Sequence, residues 1–301
     1  MSPRFSNVDR GLSIAGPGRP SRPRFEHLRL LPLSHDPAVE LTPTGVDRRG
    51  IPRHGFETVE ACIREDLYRS THLRLSGLPG AEELAHRLNE SAPDFAHDSL
   101  ASRRYAREMR RVDTSNLLAL IDQHPIAGLR TFTLVKPAWA TDAEQLAEVS
   151  AQSFTSQFRR QLGRIYRGAP GEFLFGQVHG EFDSRTKTFQ IHLHGLCAAA
   201  YKQPLEAVAA GLATSGVAKP LRFRDVVQGD AARQITYLTQ SFWPHRPTIL
   251  IDGVPRRTRA KSRIPEPFGS AVLLWLDQQS IGTVQVKLGL VNSTYGMRSR
   301  N

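Results

Sequence analysis

Phe189-Gln190-Ile191-His192-Leu193-His194-Gly195-Leu196 is the stretch that decides the architecture. Its apolar and polar residues alternate, and side chains on a β-strand alternate faces with a period of two. His192 and His194 therefore share one face, while Phe189, Ile191 and Leu193 share the other. Two imidazoles side by side on a strand make half of a divalent metal site. A polar pair on the solvent face of a half-buried strand is the competing account.

Working outward, Arg130-Thr131-Phe132-Thr133-Leu134-Val135 is β-branched and aromatic and reads as a strand that Pro137 stops. Thr141-Asp142-Ala143-Glu144 has the spacing of a capping box and predicts a long helix to about Tyr166. Pro170 and Gly171 mark a turn. A second strand follows over Phe173–Phe182, and Asp183-Ser184-Arg185-Thr186-Lys187 is a polar hairpin connection. The histidine strand is expected over Thr188–Ala199. A helix from near Pro204 to about Thr214, a strand over Leu221–Val227 and a helix over Ala231–Phe242 come next. The order is strand, helix, strand, strand, helix, strand, helix. It predicts an α+β fold with a central antiparallel sheet and helices packed on one face.

The flanks differ in composition. Residues 1–55 are rich in Pro, Gly and Arg and read as a basic flexible arm. Residues 56–125 form a helical N-terminal region, with one helix over Ala81–Leu88 and a very basic one from Ser102 to Arg111. The sheet domain is drawn over 126–245. A basic C-terminal extension, 246–301, contains Pro255-Arg256-Arg257-Thr258-Arg259-Ala260-Lys261-Ser262-Arg263 and a short helix over Ala271–Leu276.

The chain of 301 residues carries 40 Lys+Arg against 29 Asp+Glu, a net charge of +11. That excess favours polyanions, nucleic acid first among them. With two cysteines, Cys62 and Cys197, there is neither a disulfide framework nor a Cys-rich zinc site. No apolar run approaches the ~20 residues needed to span a bilayer, and no apolar signal segment opens the chain. A cytoplasmic protein without membrane contact is expected. A phosphate-binding GxxxxGK[ST] loop is absent, so any helicase must be a separate partner.

Three motifs occur in order. The first is Phe132-Thr133-Leu134-Val135-Lys136-Pro137, the second His192-Leu193-His194, and the third Tyr237-Leu238-Thr239-Gln240 on the helix after the fourth strand. Over roughly residues 129–243 this set resembles the HUH superfamily of single-strand endonucleases, especially plasmid and phage rolling-circle replication initiators, whose palm is RRM-like. The family has an "FLTLT"-like first motif, a His-hydrophobic-His second and a Tyr-x-x-Lys third. This chain departs from the third, with Gln240 in place of the lysine.

The resemblance implies that His192 and His194 hold Mg²⁺ or Mn²⁺, with Glu181 the first choice for third ligand and Gln177, His179 and Asp183 in reserve. It implies that Tyr237 attacks a DNA phosphorus, leaving a 5′-phosphotyrosine. Gln240, Arg233, Arg256, Arg257 and Arg259 are expected to touch single-stranded DNA or an origin hairpin, and Arg233 or Arg246 to replace the lysine's charge. Trp139, Trp243 and Phe242 could stack bases, with core packing favoured for two of them. A non-cleaving binding protein on the same scaffold is the alternative. An unrelated His-x-His metallohydrolase is disfavoured because His245 is the only later histidine.

Overall fold

The computed structural model describes residues 56–89, 99–210, 219–240, 242–258, 261–293 and 296–299. The basic arm at 1–55 and the last residues of the helix expected to reach Thr214 lie outside them. Three helices come first: α1 (Val59–Ser76), α2 (Ala81–Asn89) and α3 (Arg103–Asp122). The five-stranded sheet is then built from β1 (Leu129–Asp142), β2 (Leu174–Asp183), β3 (Thr188–Ala198), β4 (Leu221–Asp225) and β7 (Gln285–Leu288). Its order is β4-β1-β3-β2-β7, and every neighbouring pair is antiparallel. The expected α+β class and antiparallel sheet are what the chain forms.

The remaining elements are α4 (Ala151–Ile165), α5 (Lys202–Ala210), α6 (Ala231–Leu238), α7 (Phe268–Gln278) and the single turn α8 (Ile281–Val284). Two hairpins stand apart from the main sheet: β5 (Thr248–Ile251) with β6 (Val254–Arg257), and β8 (Leu290–Ser293) with β9 (Gly296–Ser299).

Alternation on the strands sorts the two faces. Phe132, Leu134, Ile191, Leu193 and Val178 point into the larger core, against Phe158 and Leu162 of α4, Leu205 of α5 and Trp275 of α7. Each such side chain, fully buried, stabilises the fold by about 1.5–3 kcal/mol. The opposite face is also covered, contrary to the expectation of helices on one face. There Phe175 and Leu196 pack with Leu117 and Leu120 of α3 and with Ile235 and Leu238 of α6.

Two expectations fail around β1. The strand does not stop at Pro137. It continues to Asp142, with a break in register between Val135, opposite His192, and Ala140, opposite Gln190. Pro137 falls in this bulge, where the ladder needs no donor from it. Thr141 and Asp142 stay paired with Phe189 and Thr188, and Asp142 precedes the next segment without a side-chain capping bond. A 3₁₀ segment occupies Ala143–Glu148, and α4 begins only after Ser150, whose hydroxyl accepts from the Ser153 amide.

The basic helix α3 is anchored by acids. Asp66 of α1 accepts from the Arg103 and Arg104 amides and the Ser102 hydroxyl, which satisfies the orphan donors of a helix start. Glu57 pairs with both Arg103 and Arg110, all three buried. The residues after 245, expected as an extension, supply α7 to the larger core and β7 as the fifth strand.

Candidate active site

The second sheet face carries the polar cluster. Register sets His179 opposite His192 and Gln177 opposite His194, with Thr133 and Val135 across on β1. Arg222 and Arg224 of β4 pair with Thr133 and Thr131 and so present to the same side. His179, His192 and His194 are all buried. Gly195, which follows the pair, lets the strand sit this close: a Cβ there would lie 2.2 Å from the Phe175 carbonyl oxygen and 2.4 Å from the Phe132 ring.

The two motif histidines face each other with Nε2 atoms 3.1 Å apart. Their outer nitrogens are engaged: His192 Nδ1 donates to the Gln190 carbonyl at 3.1 Å, and His194 Nδ1 lies 2.8 Å from Thr133 Oγ1. Fixing Nδ1 and turning Nε2 inward is how a protein orients imidazoles toward a metal. The 3.1 Å separation suits two neighbouring ligands of one ion, given metal–nitrogen bonds of roughly 2.1 Å at right angles. The pair fits a divalent cation.

The candidates for a third ligand have other partners. Glu181 lies on the same face one step beyond His179, but it faces Gln190 in register and pairs with Arg246 at 2.7 Å. His179 packs against both motif rings, 6.0 Å from His192 and 4.7 Å from His194 between centroids, while its Nε2 donates to the Leu238 carbonyl at 2.8 Å. Asp183 accepts from the Arg185 amide and the Thr248 hydroxyl. Among the described residues, no group of three or more His, Cys, Asp or Glu is arranged to hold a metal ion. Burial, with neighbouring imidazoles adding to it, pushes the His179 pKa down to about 3 and that of His194 well below its usual value, so both rings are neutral at pH 7.

Tyr237 enters from α6. Its ring lies 5.1 Å from that of His194, edge toward face, and the residue is 45% exposed. Two-turn α6 is held by its neighbours rather than by its own length. Arg110 donates to the Thr236 carbonyl at 3.3 Å, Thr114 and Thr239 share a hydroxyl contact at 3.1 Å, and His179 takes Leu238. Thus α3, in the region the sequence left without a role, positions the tyrosine. Burial and the Glu181 carboxylate raise the Tyr237 pKa, while Arg246 and Arg224 pull it back.

Gln240 does not lie on the tyrosine helix as expected. α6 ends at Leu238, and the Thr239 hydroxyl folds back on the Ile235 carbonyl at 3.3 Å. Gln240 lines a recess with Val178, Trp243, Trp275 and Val284. Trp139 and Trp243 are core residues and Phe242 is half-buried. Arg233 is engaged with Asp230 at 2.5 and 2.8 Å and is exposed. Arg256 is exposed on β6, Arg257 closes that strand, and Arg259 lies outside the described residues.

One residue of the site was not singled out in the sequence. Lys261 holds its ammonium 5.1 Å from the centroid of the Tyr237 ring. It arrives on the return arm of the β5–β6 excursion, where His245 and Ser262 exchange backbone hydrogen bonds of 2.9 and 3.1 Å. The excursion is tied to β2 through the Phe182 amide on Pro244 and the Arg246 amide on Phe182, each at 2.9 Å. Nothing local in Ala260-Lys261-Ser262 distinguishes this lysine from its basic neighbours.

Compared with known proteins, the chain matches no family model, no curated protein and no solved structure. No helix among the described residues is long and apolar enough to cross a membrane.

Proposed function

We propose that the protein is a metal-dependent enzyme that nicks and rejoins single-stranded DNA to initiate rolling-circle replication of a plasmid, phage or related element. The observation that carries this is the meeting of His194 and Tyr237, with ring centroids 5.1 Å apart, beside the facing Nε2 atoms of His192 and His194. A phenol next to a metal-binding imidazole pair, on a face edged by Arg222, Arg224, Arg246 and Lys261, suits attack on a phosphodiester.

The residues take the following roles. The Tyr237 oxygen forms a bond to phosphorus as the bond from phosphorus to the 3′ oxygen breaks. The phenol releases one proton and the 3′ oxygen takes one up, leaving a 5′-phosphotyrosine and a 3′-OH able to prime synthesis. A Mg²⁺ or Mn²⁺ ion held by His192 and His194 would neutralise charge on a phosphate oxygen. Gln177 and His179, directly opposite the pair, and Glu181 beyond them are the groups from which the remaining ligand would come. Burial holds the His194 pKa well below its usual value, so this ring is neutral at pH 7 and can offer a lone pair to a cation. A cellular or element-encoded helicase would open the duplex, and a cytoplasmic location follows from that role.

The test is incubation with Mn²⁺ and labelled single-stranded DNA covering the replicon that encodes the chain, followed by denaturing gels. A covalent adduct lost in Tyr237→Phe supports the reading. Tight binding with no adduct on any segment would favour the alternative, an origin-binding protein that does not cut. Gln240 at the lysine position and the raised Tyr237 pKa favour that alternative.

A further inference from the structure

We infer that Lys261 is the cation that serves the tyrosine in this site, taking from a distant segment the role that Gln240 cannot fill. The inference rests on the phosphotyrosine reading above and extends it to a residue outside all three motifs.

Lys261 is brought to the site by a built device rather than by a loose side chain. The neck of the β5–β6 excursion is closed by the paired His245 and Ser262 backbones. The His245 ring reinforces that neck, with Nδ1 3.0 Å from Ser262 Oγ and Nε2 2.9 Å from Ser184 Oγ. Just beyond, Arg263 is clamped by the Glu65 carboxylate at 2.6 Å on both oxygens and stacks 4.3 Å over the Tyr68 ring. Lys261 therefore directly precedes two anchored residues, Ser262 tied through His245 to β2 and Arg263 tied to α1.

The ammonium that results sits over the face of Tyr237, 5.1 Å from its centroid, while His194 meets the same ring at 5.1 Å. A phosphate presented to the phenolic oxygen would lie beside the lysine. In a partly dehydrated site a positive charge is weakly screened, so it stabilises the extra negative charge of the transition state more than it would in water. Arg246, on the opposite arm of the same neck, is largely answered by Glu181. Lys261 also feels the Glu181 carboxylate, but it is the one of the two whose cation lies over the Tyr237 ring. Its contact with the phosphate charge would make it a catalytic residue, and its contact with the ring alone would make it a structural one.

The experiment separates these. Single-turnover adduct formation is measured with a 3′-labelled oligonucleotide that the wild-type protein nicks, with Lys261→Met, Lys261→Arg and Tyr237→Phe in parallel. Lys261→Met is expected to slow transfer by about 100-fold, with DNA affinity and melting temperature close to wild type, and Lys261→Arg to recover most of the rate. The same oligonucleotide with a methylphosphonate at the scissile position carries one charge fewer. On it, the penalty of Lys261→Met should largely vanish. An equal penalty on both substrates, or a wild-type rate in Lys261→Met, overturns the inference while leaving the enzyme reading intact. An adduct that persists in Tyr237→Phe overturns Tyr237 as the nucleophile, and with it the reading on which the inference rests.

Discussion

The two halves of the site are held by different kinds of structure. The histidine half lies on β2 and β3, inner strands of a five-stranded sheet, where backbone register fixes each side chain and burial is nearly complete. The tyrosine half is a two-turn helix and the neck of a long excursion, held by single contacts from Arg110, Thr114, His179 and the His245–Ser262 bridge. A paired strand specifies its residues through a repeating ladder, so one position implies the next. A short helix and a return loop are specified by contacts with residues far away in sequence.

The strand half should break hardest. Gly195→Ala places a methyl group against the Phe175 carbonyl and Phe132 ring, neither of which can retreat, and is expected to cost about 1–3 kcal/mol or prevent folding. Urea unfolding reads this, and an unchanged midpoint would show that β2 and β3 pack more loosely than described. Thr133→Val keeps the branched shape and removes the partner of His194 Nδ1. It should weaken Mn²⁺ affinity by about tenfold, read by calorimetry, with the melting temperature nearly unchanged. Equal affinity in the variant would place the orienting role elsewhere.

A pH titration sharpens the comparison further. His179 protonates at about 3 in the folded chain against about 6.5 when exposed. Below 6.5 the unfolded chain binds the extra proton, so stability falls as pH drops from about 6.5 toward 3. His179→Gln retains a donor for the Leu238 carbonyl and removes this titration. In chelator-containing buffer it should lose less stability between pH 7.5 and pH 5 than the wild type does. Identical losses would exclude His179 as the source. The smallest effect is expected at Gln240→Lys. This variant installs the lysine of the resembled motif, but position 240 lines the recess beside Trp243 and Trp275, so nicking should stay at the wild-type rate. A clear gain would show that position 240 does reach the phosphate.

The same contrast explains what the sequence disclosed. The alternation of Phe189–Leu196 and the polar turn after Phe182 were enough to place His192 and His194 on one face and to align β2 with β3. His179 was legible as a face-mate by parity, though register was needed to show it directly opposite His192 while Glu181 turns to Arg246. The capping-box spacing at Thr141–Glu144 misled because tertiary pairing kept Thr141 and Asp142 in the sheet, and sheet hydrogen bonds outweighed a local helix signal. Helix α6 ends at Leu238, short of the expected Phe242, and that takes Gln240 off the tyrosine helix. Lys261 could not be found from its neighbours, since its approach depends on a pairing between His245 and Ser262 that no short-range pattern announces.

The central claim is that Tyr237 becomes covalently joined to DNA beside the histidine pair. The most direct measurement is peptide mapping by mass spectrometry after incubation with Mn²⁺ and single-stranded oligonucleotides spanning the chain's own replicon. The account predicts a nucleotide phosphate on the peptide containing Tyr237, absent in chelator and in a His192→Ala/His194→Ala variant that still folds. An adduct on a different residue, or an unmodified Tyr237 peptide with every oligonucleotide that binds tightly, would contradict it.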